Sequence, residues 1–383
     1  MLRPVKMIAR SAAKSWLMAL CFAGLTVPAA GGGNDTGADG AIPKRFLLSG
    51  HSLTDDPFAE YLVAIGKTQG ADMDWNEQIV IGSPNRVRTR GDSQRPGDWN
   101  GYSLGKNRDG REGLDILAEL KKPTDRPFDT LIIAEGHTLV AQLIWNDTVR
   151  YVRHFHERMI EHNPATRSSL FEPWETLTDK TKPAQWIPLE RDGTKLWRCV
   201  ADRINISLKH EGRADRVRTI PVGAALADLV DAITRGEMPG LKPVGGREGV
   251  NLILADGVHL TPMGFYFAAL VSYTTMVDRP ITTSWWPRGV SEEAAQALQK
   301  FVADFHERRK ATFVPLDMEG CSQLLVTSYC DAWNAYVPDE WSSPQMGCKP
   351  FFSRKTMALE NENAPNPFVF SPEEDASYWF PAP

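Results

Sequence analysis

Two short stretches of the sequence carry residues that can act together as a nucleophile and its base. Ser52 follows the apolar run at residues 46–49, and Asp256-Gly-Val-His259 lies about 200 positions further on. A serine hydroxyl becomes a good nucleophile when a base takes its proton, and a neutral imidazole steadied by a carboxylate is the usual base. A spacing of three residues lets Asp256 bind one ring nitrogen of His259 and leave the other free. The pattern predicts acyl-transfer chemistry, with Ser52 as nucleophile, His259 as base and Asp256 as its orienting group.

The same chemistry requires hydrogen-bond donors for the oxyanion of a tetrahedral intermediate. The backbone N–H groups of Ser52 and Gly82 are candidates. Gly82 ends a second apolar run that starts at Gln78, and glycine lets a backbone approach a ligand closely.

The pattern of apolar residues predicts the elements that position these groups. Strands are expected at residues 46–49, 78–83, 128–136, 168–174 and 217–222. Helices are expected at residues 57–68, 112–121, 142–162, 192–211, 224–234 and 291–309, and after Thr261-Pro262, which form a helix start signal. Strands that alternate with helices form βαβ units. We therefore expect an α/β fold, a three-layer αβα sandwich around a parallel sheet of about five strands, with ligands at the carboxyl ends of the strands.

Three further residues are candidates for contact with a substrate. Trp99 lies in the polar stretch at residues 84–112, where its ring can stack on a sugar or pack against the protein's own surface. Glu135 lies at the end of the third predicted strand, where it can either contact a substrate or be a solvated acid. His51 is next to the nucleophile, as a second donor or as an ordinary loop residue.

The composition excludes several classes of function. The chain has 383 residues and a net charge of -5 with both signs intermixed, so nucleic acid is not an expected partner. The sequence contains no Gly-x-x-x-x-Gly-Lys phosphate loop, no His-Glu-x-x-His helix and no Cys-x-x-Cys pair. Neither a cofactor nor a catalytic metal is implied.

The N-terminal residues 1–29 predict a secretory signal. Four basic residues precede a short apolar stretch and a small-residue exit near Ala29. The apolar stretch is short for a bilayer, so we expect cleavage and no stable membrane anchor, with an uncleaved anchor as the alternative. The expected location is secreted or periplasmic. Residues 30–42 are expected as a flexible lead-in, residues 43–280 as the catalytic domain and residues 281–383 as a helical, Cys-, Pro- and aromatic-rich extension.

Four cysteines remain beyond the signal: Cys199, Cys321, Cys330 and Cys348. Their spacings do not resemble those of zinc ligands. In an oxidising compartment they allow three complete pairings, and at least one disulfide is expected in the tail.

Four blocks of the sequence resemble those of the SGNH (GDSL-like) hydrolase superfamily, over residues 44–278. They are Gly50-x-Ser52-Leu53, Gly82, Gly136-His137-Thr138 and Asp256-x-x-His259. The resemblance implies an esterase, lipase, thioesterase or carbohydrate deacetylase, with the serine and Asp-x-x-His as triad and the first three blocks as oxyanion hole. His51 replaces an acidic residue of the family pattern. The third block lacks the family's asparagine, so His137 or Thr138 is expected to donate in its place.

The expected function is an exported serine esterase that cleaves an ester of a small molecule or polysaccharide. An O-acetyl group on a carbohydrate is favoured by the resemblance and by the chain's twelve tryptophans, among them Trp75, Trp99 and Trp174. The alternatives are an acyltransferase that uses the same triad and a catalytically decayed carbohydrate-binding or surface protein.

Overall fold

The strand that leads to Ser52 lies in the middle of a seven-stranded sheet. The computed structural model describes residues 41–91, 98–241, 246–337, 347–355 and 365–380. Its strands are β1 (Arg45–Gly50), β2 (Asp74–Ile79), β3 (Gly105–Asn107), β4 (Glu112–Leu114), β5 (Thr130–Ala134), β6 (Arg167–Phe171) and β7 (Val217–Ile220). Their order across the sheet is β4-β3-β2-β1-β5-β6-β7.

The α/β class is confirmed, but the sheet is mixed and has seven strands instead of about five parallel ones. β2, β1, β5, β6 and β7 are parallel, whereas β3 pairs antiparallel with both β2 and β4. The two extra strands have three residues each: β3 lies in the polar stretch at residues 84–112, and β4 lies where the helix at residues 112–121 was expected to begin. Such short strands are held by backbone pairing, with β4 at the edge of the sheet, and three residues carry no apolar pattern that a sequence could reveal.

The second strand begins earlier in the chain than its apolar run suggests. The run at residues 78–83 predicts a strand there, yet β2 ends at Ile79, and Ile81 is 63% exposed. Asn76, Glu77 and Gln78 are buried within β2 instead. Neighbouring side chains offset the burial of these polar groups, as the Ser49 hydroxyl does for Gln78.

Helices cover both faces of the sheet. Before the base they are α1 (Phe58–Thr68), α2 (Asn85–Arg90), α3 (Ile116–Lys121), α4 (Leu139–Trp145), α5 (Thr148–His162), α6 (Trp186–His210), α7 (Val222–Thr234) and α8 (Gly246–Asn251). After it come α9 (Pro262–Val277), α10 (Glu292–Thr312), α11 (Met318–Leu324), α12 (Cys330–Tyr336), α13 (Cys348–Phe352) and α14 (Asp375–Tyr378). The helix expected at residues 142–162 is two helices, because Asp147 adopts a left-handed conformation with φ of 50°. The helix expected at residues 112–121 starts only at Ile116.

Alternate side chains of β1 point into two separate hydrophobic cores. Phe46 and Leu48 belong to the core formed with α1, α7, α9 and α10. Leu47 belongs to the core formed with α5, α6 and the C-terminal helices. The alternation follows from the two-residue period of a strand, and it fixes β1 between the helix layers.

The C-terminal extension is tied to the second core by covalent and ionic links. Cys330–Cys348 confirms the disulfide expected in the tail, and Cys199–Cys321 joins α11 to α6. Disulfides are consistent with maturation in an oxidising compartment. The carboxylate of Asp375 in α14 lies 2.7 Å from the guanidinium of Arg203 in α6, and both side chains are buried.

The predicted signal peptide and most of the predicted lead-in lie outside the described residues. Within the described ranges, no helix combines the length and the apolar character that crossing a membrane requires.

Candidate active site

The nucleophile loop (residues 51–54) is a tight turn directly after β1. The N–H of Thr54 donates to the carbonyl oxygen of His51 at 2.8 Å. A Cβ on Gly50 would lie 1.9 Å from Oγ1 of Thr54, so only glycine fits before this turn. The turn therefore holds Ser52 at the carboxyl end of β1, as the sequence predicts.

The structure brings the three predicted triad residues together. Oγ of Ser52 lies 3.1 Å from Nε2 of His259, and Nδ1 of His259 lies 2.7 Å from Oδ2 of Asp256. Both distances are within the reach that proton transfer and orientation require. The other oxygen of Asp256 accepts the backbone N–H groups of Val258 and His259, each at 2.7 Å.

The hydrogen bonds to Asp256 keep its carboxyl group ionised. Burial alone would raise the pKa of Asp256, but hydrogen bonds from the backbone N–H groups of His259 and Val258 and from the His259 ring lower it to about 2. The carboxylate is ionised at neutral pH and holds the proton of His259 on Nδ1. Nε2 is then left as the acceptor for the Ser52 hydroxyl.

The base loop (residues 255–261) is supported by the segment that follows β6. The indole N–H of Trp174 donates to the carbonyl oxygen of Val258 at 3.0 Å, and the N–H of Leu177 donates to that of Gly257 at 2.8 Å. Trp174 is 1% exposed. It supports His259 from behind and does not face a substrate, and Trp75 is likewise a core residue.

The two backbone groups predicted as oxyanion donors, the N–H groups of Ser52 and Gly82, belong to the loops that follow β1 and β2. The second loop (residues 80–84) follows β2, and the N–H of Val80 donates to the carbonyl oxygen of Gly50 at 3.1 Å. Gly82 has φ of 68°, a conformation that favours glycine. The N–H groups of Ser52 and Gly82 make no hydrogen bond to another residue of the described ranges, so both are available to a ligand.

The third loop (residues 135–138) follows β5 on the other side of β1. His137 lies close enough to His259 for their charges to interact, and burial followed by the His259 charge lowers the pKa of His137. Oγ1 of Thr138 accepts a hydrogen bond from the side chain of Gln142 at 3.1 Å. The loop thus places a histidine near the base and a threonine directly before α4.

Hydrogen bonds of His51 and Glu135 connect the nucleophile loop, the third loop and the start of α2. Nε2 of His51 donates to the carbonyl oxygen of Glu135 at 2.7 Å. Burial and then the charge of Arg88 lower the pKa of His51 to about 3, so its ring is neutral. The Glu135 carboxylate accepts the N–H groups of Asn85 at 2.7 Å and Gly136 at 2.8 Å. Both side chains are buried and support the loops, so Glu135 is not a solvated acid; contact of either residue with a substrate stays a prediction.

Arg88 is a buried residue of the site that sequence reasoning missed. Its guanidinium donates to Oγ of Ser49 at 3.0 Å, to the carbonyl oxygen of Ser83 at 2.7 Å and to that of Ala134. These acceptors belong to β1, the second loop and β5, so one side chain links all three. A single arginine in a polar stretch carries no signal that distinguishes it from a solvated one.

Trp99 packs against the protein's own surface. Its ring stacks on His154 with centroids 3.5 Å apart, and Tyr151 and Phe380 pack on its edges. This is the second of the two roles that the sequence left open for Trp99.

A polar cavity of about 760 Å³ adjoins the base loop. Asp256 and Gly257 form part of its wall, together with residues of the segment after β6 and of α8. The remaining lining residues are mostly polar or charged: Thr176, Leu177, Thr178, Asp179, Lys180, Arg247, Asn251 and Ala255. Across the described part of the chain, no group of three or more His, Cys, Asp or Glu side chains is placed to hold a metal ion.

Comparison with known proteins gives one distant likeness. No family model and no curated protein matches the chain. It is similar to the crystal structure of a DUF4886 family protein from Bacteroides uniformis, with 15% sequence identity and a TM-score of 0.48. The likeness covers 71% of this chain and 98% of that one. At this TM-score it carries no functional information.

Proposed function

We propose that this protein is an exported serine esterase with a three-layer fold of the SGNH type. The observation that carries the proposal is the Ser52–His259–Asp256 chain of hydrogen bonds, with distances of 3.1 Å and 2.7 Å at the carboxyl end of β1. A serine activated by a base that is itself oriented is the arrangement on which acyl-enzyme chemistry depends.

In the proposed reaction, Ser52 Oγ attacks the ester carbonyl carbon while Nε2 of His259 takes its proton. Asp256 stabilises the imidazolium that forms. The tetrahedral intermediate collapses, the alcohol leaves with the proton from His259, and the acyl group stays on Ser52. Water, deprotonated by His259, then releases the acid and restores the serine.

The proposed oxyanion hole uses backbone groups in place of a side-chain amide. The free N–H groups of Ser52 and Gly82 are its first members, and the third loop supplies His137 or Thr138 where the related hydrolases carry an asparagine. Preorganised donors of this kind together lower a barrier by several kcal/mol.

Two features support an ester of a polar alcohol and water as acceptor. The side chains of His259 and Asp256 are 47% and 59% exposed, so water has access to an acyl-enzyme. The cavity beside Asp256 is lined mainly by polar groups, but by neither Ser52 nor His259, so its lining suits the hydroxyls of a carbohydrate that extends past the triad better than a long acyl chain. An O-acetylated sugar is therefore the favoured substrate, although the tryptophans no longer argue for it, since Trp75 and Trp174 are buried.

The test is hydrolysis of short-chain chromogenic esters by the wild type and by Ser52→Ala. We expect the wild type to release the alcohol and Ser52→Ala to match the buffer rate. If the wild type does not exceed the buffer rate for any acyl length, the esterase proposal is abandoned. Product analysis in the presence of an acceptor sugar separates hydrolysis from acyl transfer.

A further inference from the structure

A buried glutamate, Glu175, links the third loop to the segment after β6 that holds the base loop in place. Oε1 of Glu175 accepts the backbone N–H of Leu139, the first residue of α4, at 3.0 Å. Leu139 directly follows Thr138, so this hydrogen bond fixes the end of the third loop. None of the roles described above uses the Glu175 side chain.

The backbone around Glu175 holds the base loop at the same time. Trp174, its neighbour, binds the carbonyl oxygen of Val258, and Leu177 binds that of Gly257. A Cβ on Gly257 would lie 2.9 Å from the Thr176 side chain, so the two segments are in close contact. Residues 174–177 therefore touch both halves of the proposed active site.

Glu175 is itself held by α6 and by the C-terminal extension. Its N–H donates to Oε1 of Glu190 at 2.6 Å, and its carbonyl oxygen accepts the indole N–H of Trp186 at 2.8 Å. The hydroxyl of Tyr336 in α12 donates to the carbonyl oxygen of Thr176 at 2.9 Å. The indole of Trp333 in α12 lies beside the Glu175 carboxyl, although its N–H makes no well-directed hydrogen bond.

We propose that Glu175 is a positioning residue that sets the third loop, with its oxyanion donors, relative to the loop that carries Asp256 and His259. The inference rests on the proposed esterase function. Because the third loop would contact the oxyanion and not the ground-state ester, its displacement lowers kcat more than it raises KM. A displacement of about 1 Å can cost up to about a hundredfold in rate.

The test compares three variants at buried glutamates of the same segment. Glu175→Met removes the acceptor for Leu139 and keeps a flexible chain of similar length. Glu175→Gln keeps an acceptor oxygen and is the conservative rescue. Glu172→Met is the matched control, because the Glu172 carboxylate binds Thr194 at 2.6 Å and faces Arg309 at 3.7 Å, and contacts neither loop. Titration of Ser52 with an organophosphonate counts the folded sites, so that kcat is expressed per active site.

We expect Glu175→Met to lower kcat per site about tenfold or more with KM within about twofold. Glu175→Gln should stay within about threefold of the wild type, and Glu172→Met should lose stability but keep its kcat per site. If Glu175→Met does not fold, Leu139→Pro removes the same hydrogen bond from the donor side at the first helical position, where proline fits the backbone. Because it also removes a buried leucine side chain, its melting curve reports that loss, and its kcat per folded site should fall alike.

A kcat per site for folded Glu175→Met within twofold of the wild type would overturn the proposal, as would an equal loss in Glu172→Met. Failure of the esterase function appears separately, because then the wild type itself does not hydrolyse any ester, and the positioning role falls with it.

Discussion

Nε2 of His259 lies 3.1 Å from Oγ of Ser52, although 207 positions separate the two residues in the chain. The contact exists because Ser52 lies at the carboxyl end of β1, in the middle of the sheet, and because the segment after β6 holds the base loop next to Ser52. His259 is in turn bound to Asp256, whose carboxylate is ionised. The proposed chemistry depends on this chain of contacts.

Asp256→Asn should leave the fold intact and lower kcat for a short-chain ester by about a hundredfold to ten-thousandfold, because an amide no longer selects the required tautomer of His259. Steady-state kinetics and a melting curve measure both effects. Asp278→Asn is the matched control, since Asp278 faces another histidine, His306, at 3.4 Å in a different part of the molecule. Equal activity in Asp256→Asn and the wild type would remove Asp256 from the mechanism.

Gly82→Ala should reduce kcat beyond its effect on stability. Gly82 and Gly70 both have positive φ, 68° and 77°, and a Cβ on either would meet no atom within 4 Å. Each alanine therefore introduces only backbone strain, of about 1 kcal/mol. Similar losses of Tm are expected for the two variants, with a loss of kcat in Gly82→Ala alone. If both variants keep the wild-type kcat, the second loop does not supply an oxyanion donor.

The pH dependence of stability should change in Glu175→Gln. Burial raises the pKa of Glu175 from 4.5 to about 8, so between these pH values the folded state binds more protons than the unfolded state. The raised pKa therefore stabilises the folded state. This contribution to the free energy of unfolding is complete below pH 4.5 and is lost as the pH rises through 8. Two other titratable groups lie close to the Glu175 carboxyl. Burial, and then the charge of Glu175, raise the pKa of Glu190, and the pKa of Tyr329 is raised in the same way.

Glutamine cannot ionise, so the Tm of Glu175→Gln relative to the wild type should increase from pH 5 to pH 9. Differential scanning calorimetry across this range gives the comparison. A relative Tm that stays flat or decreases would mean that Glu175 does not ionise in this window.

Asp375→Ala should destabilise the protein strongly. Arg203 is fully buried and Asp375 is 2% exposed, so the variant leaves a buried guanidinium without its partner, at a cost of about 3–5 kcal/mol. Urea unfolding measures the loss. The double variant Arg203→Met/Asp375→Leu should recover most of it, and a single variant of wild-type stability would show that the tail does not depend on this pair.

The sequence predicts the parts of the site that are local in the chain. Asp256 and His259 are three residues apart, and Thr261-Pro262 mark the helix start behind them, so their loop could be located without a structure. Glycine before and a turn after an apolar run likewise locate Ser52. Each of these signals depends only on neighbouring residues.

The parts that depend on distant contacts could not be predicted. In the sequence, Glu135 looks like an exposed acid at the end of a strand. Only the fold shows that its side chain accepts the N–H groups of Asn85 and Gly136. In the sequence, Trp174 cannot be told from an exposed aromatic residue of a loop. In the fold it is buried, and its indole N–H donates to the carbonyl oxygen of Val258 in the base loop. The start of β2 at Asp74 could not be predicted for the same reason, because its polar residues are buried against partners from other strands and loops.

The most direct test of the central claim is covalent labelling of the serine. An organophosphonate reacts with a serine whose hydroxyl is activated by a base, whatever ester the enzyme naturally cleaves. Mass spectrometry of the digested wild type should find one phosphonate adduct, on the peptide that contains Ser52, and none in Ser52→Ala. His259→Gln should label far more slowly. No adduct on Ser52 in the wild type, or equal labelling of wild type and His259→Gln, would contradict the account.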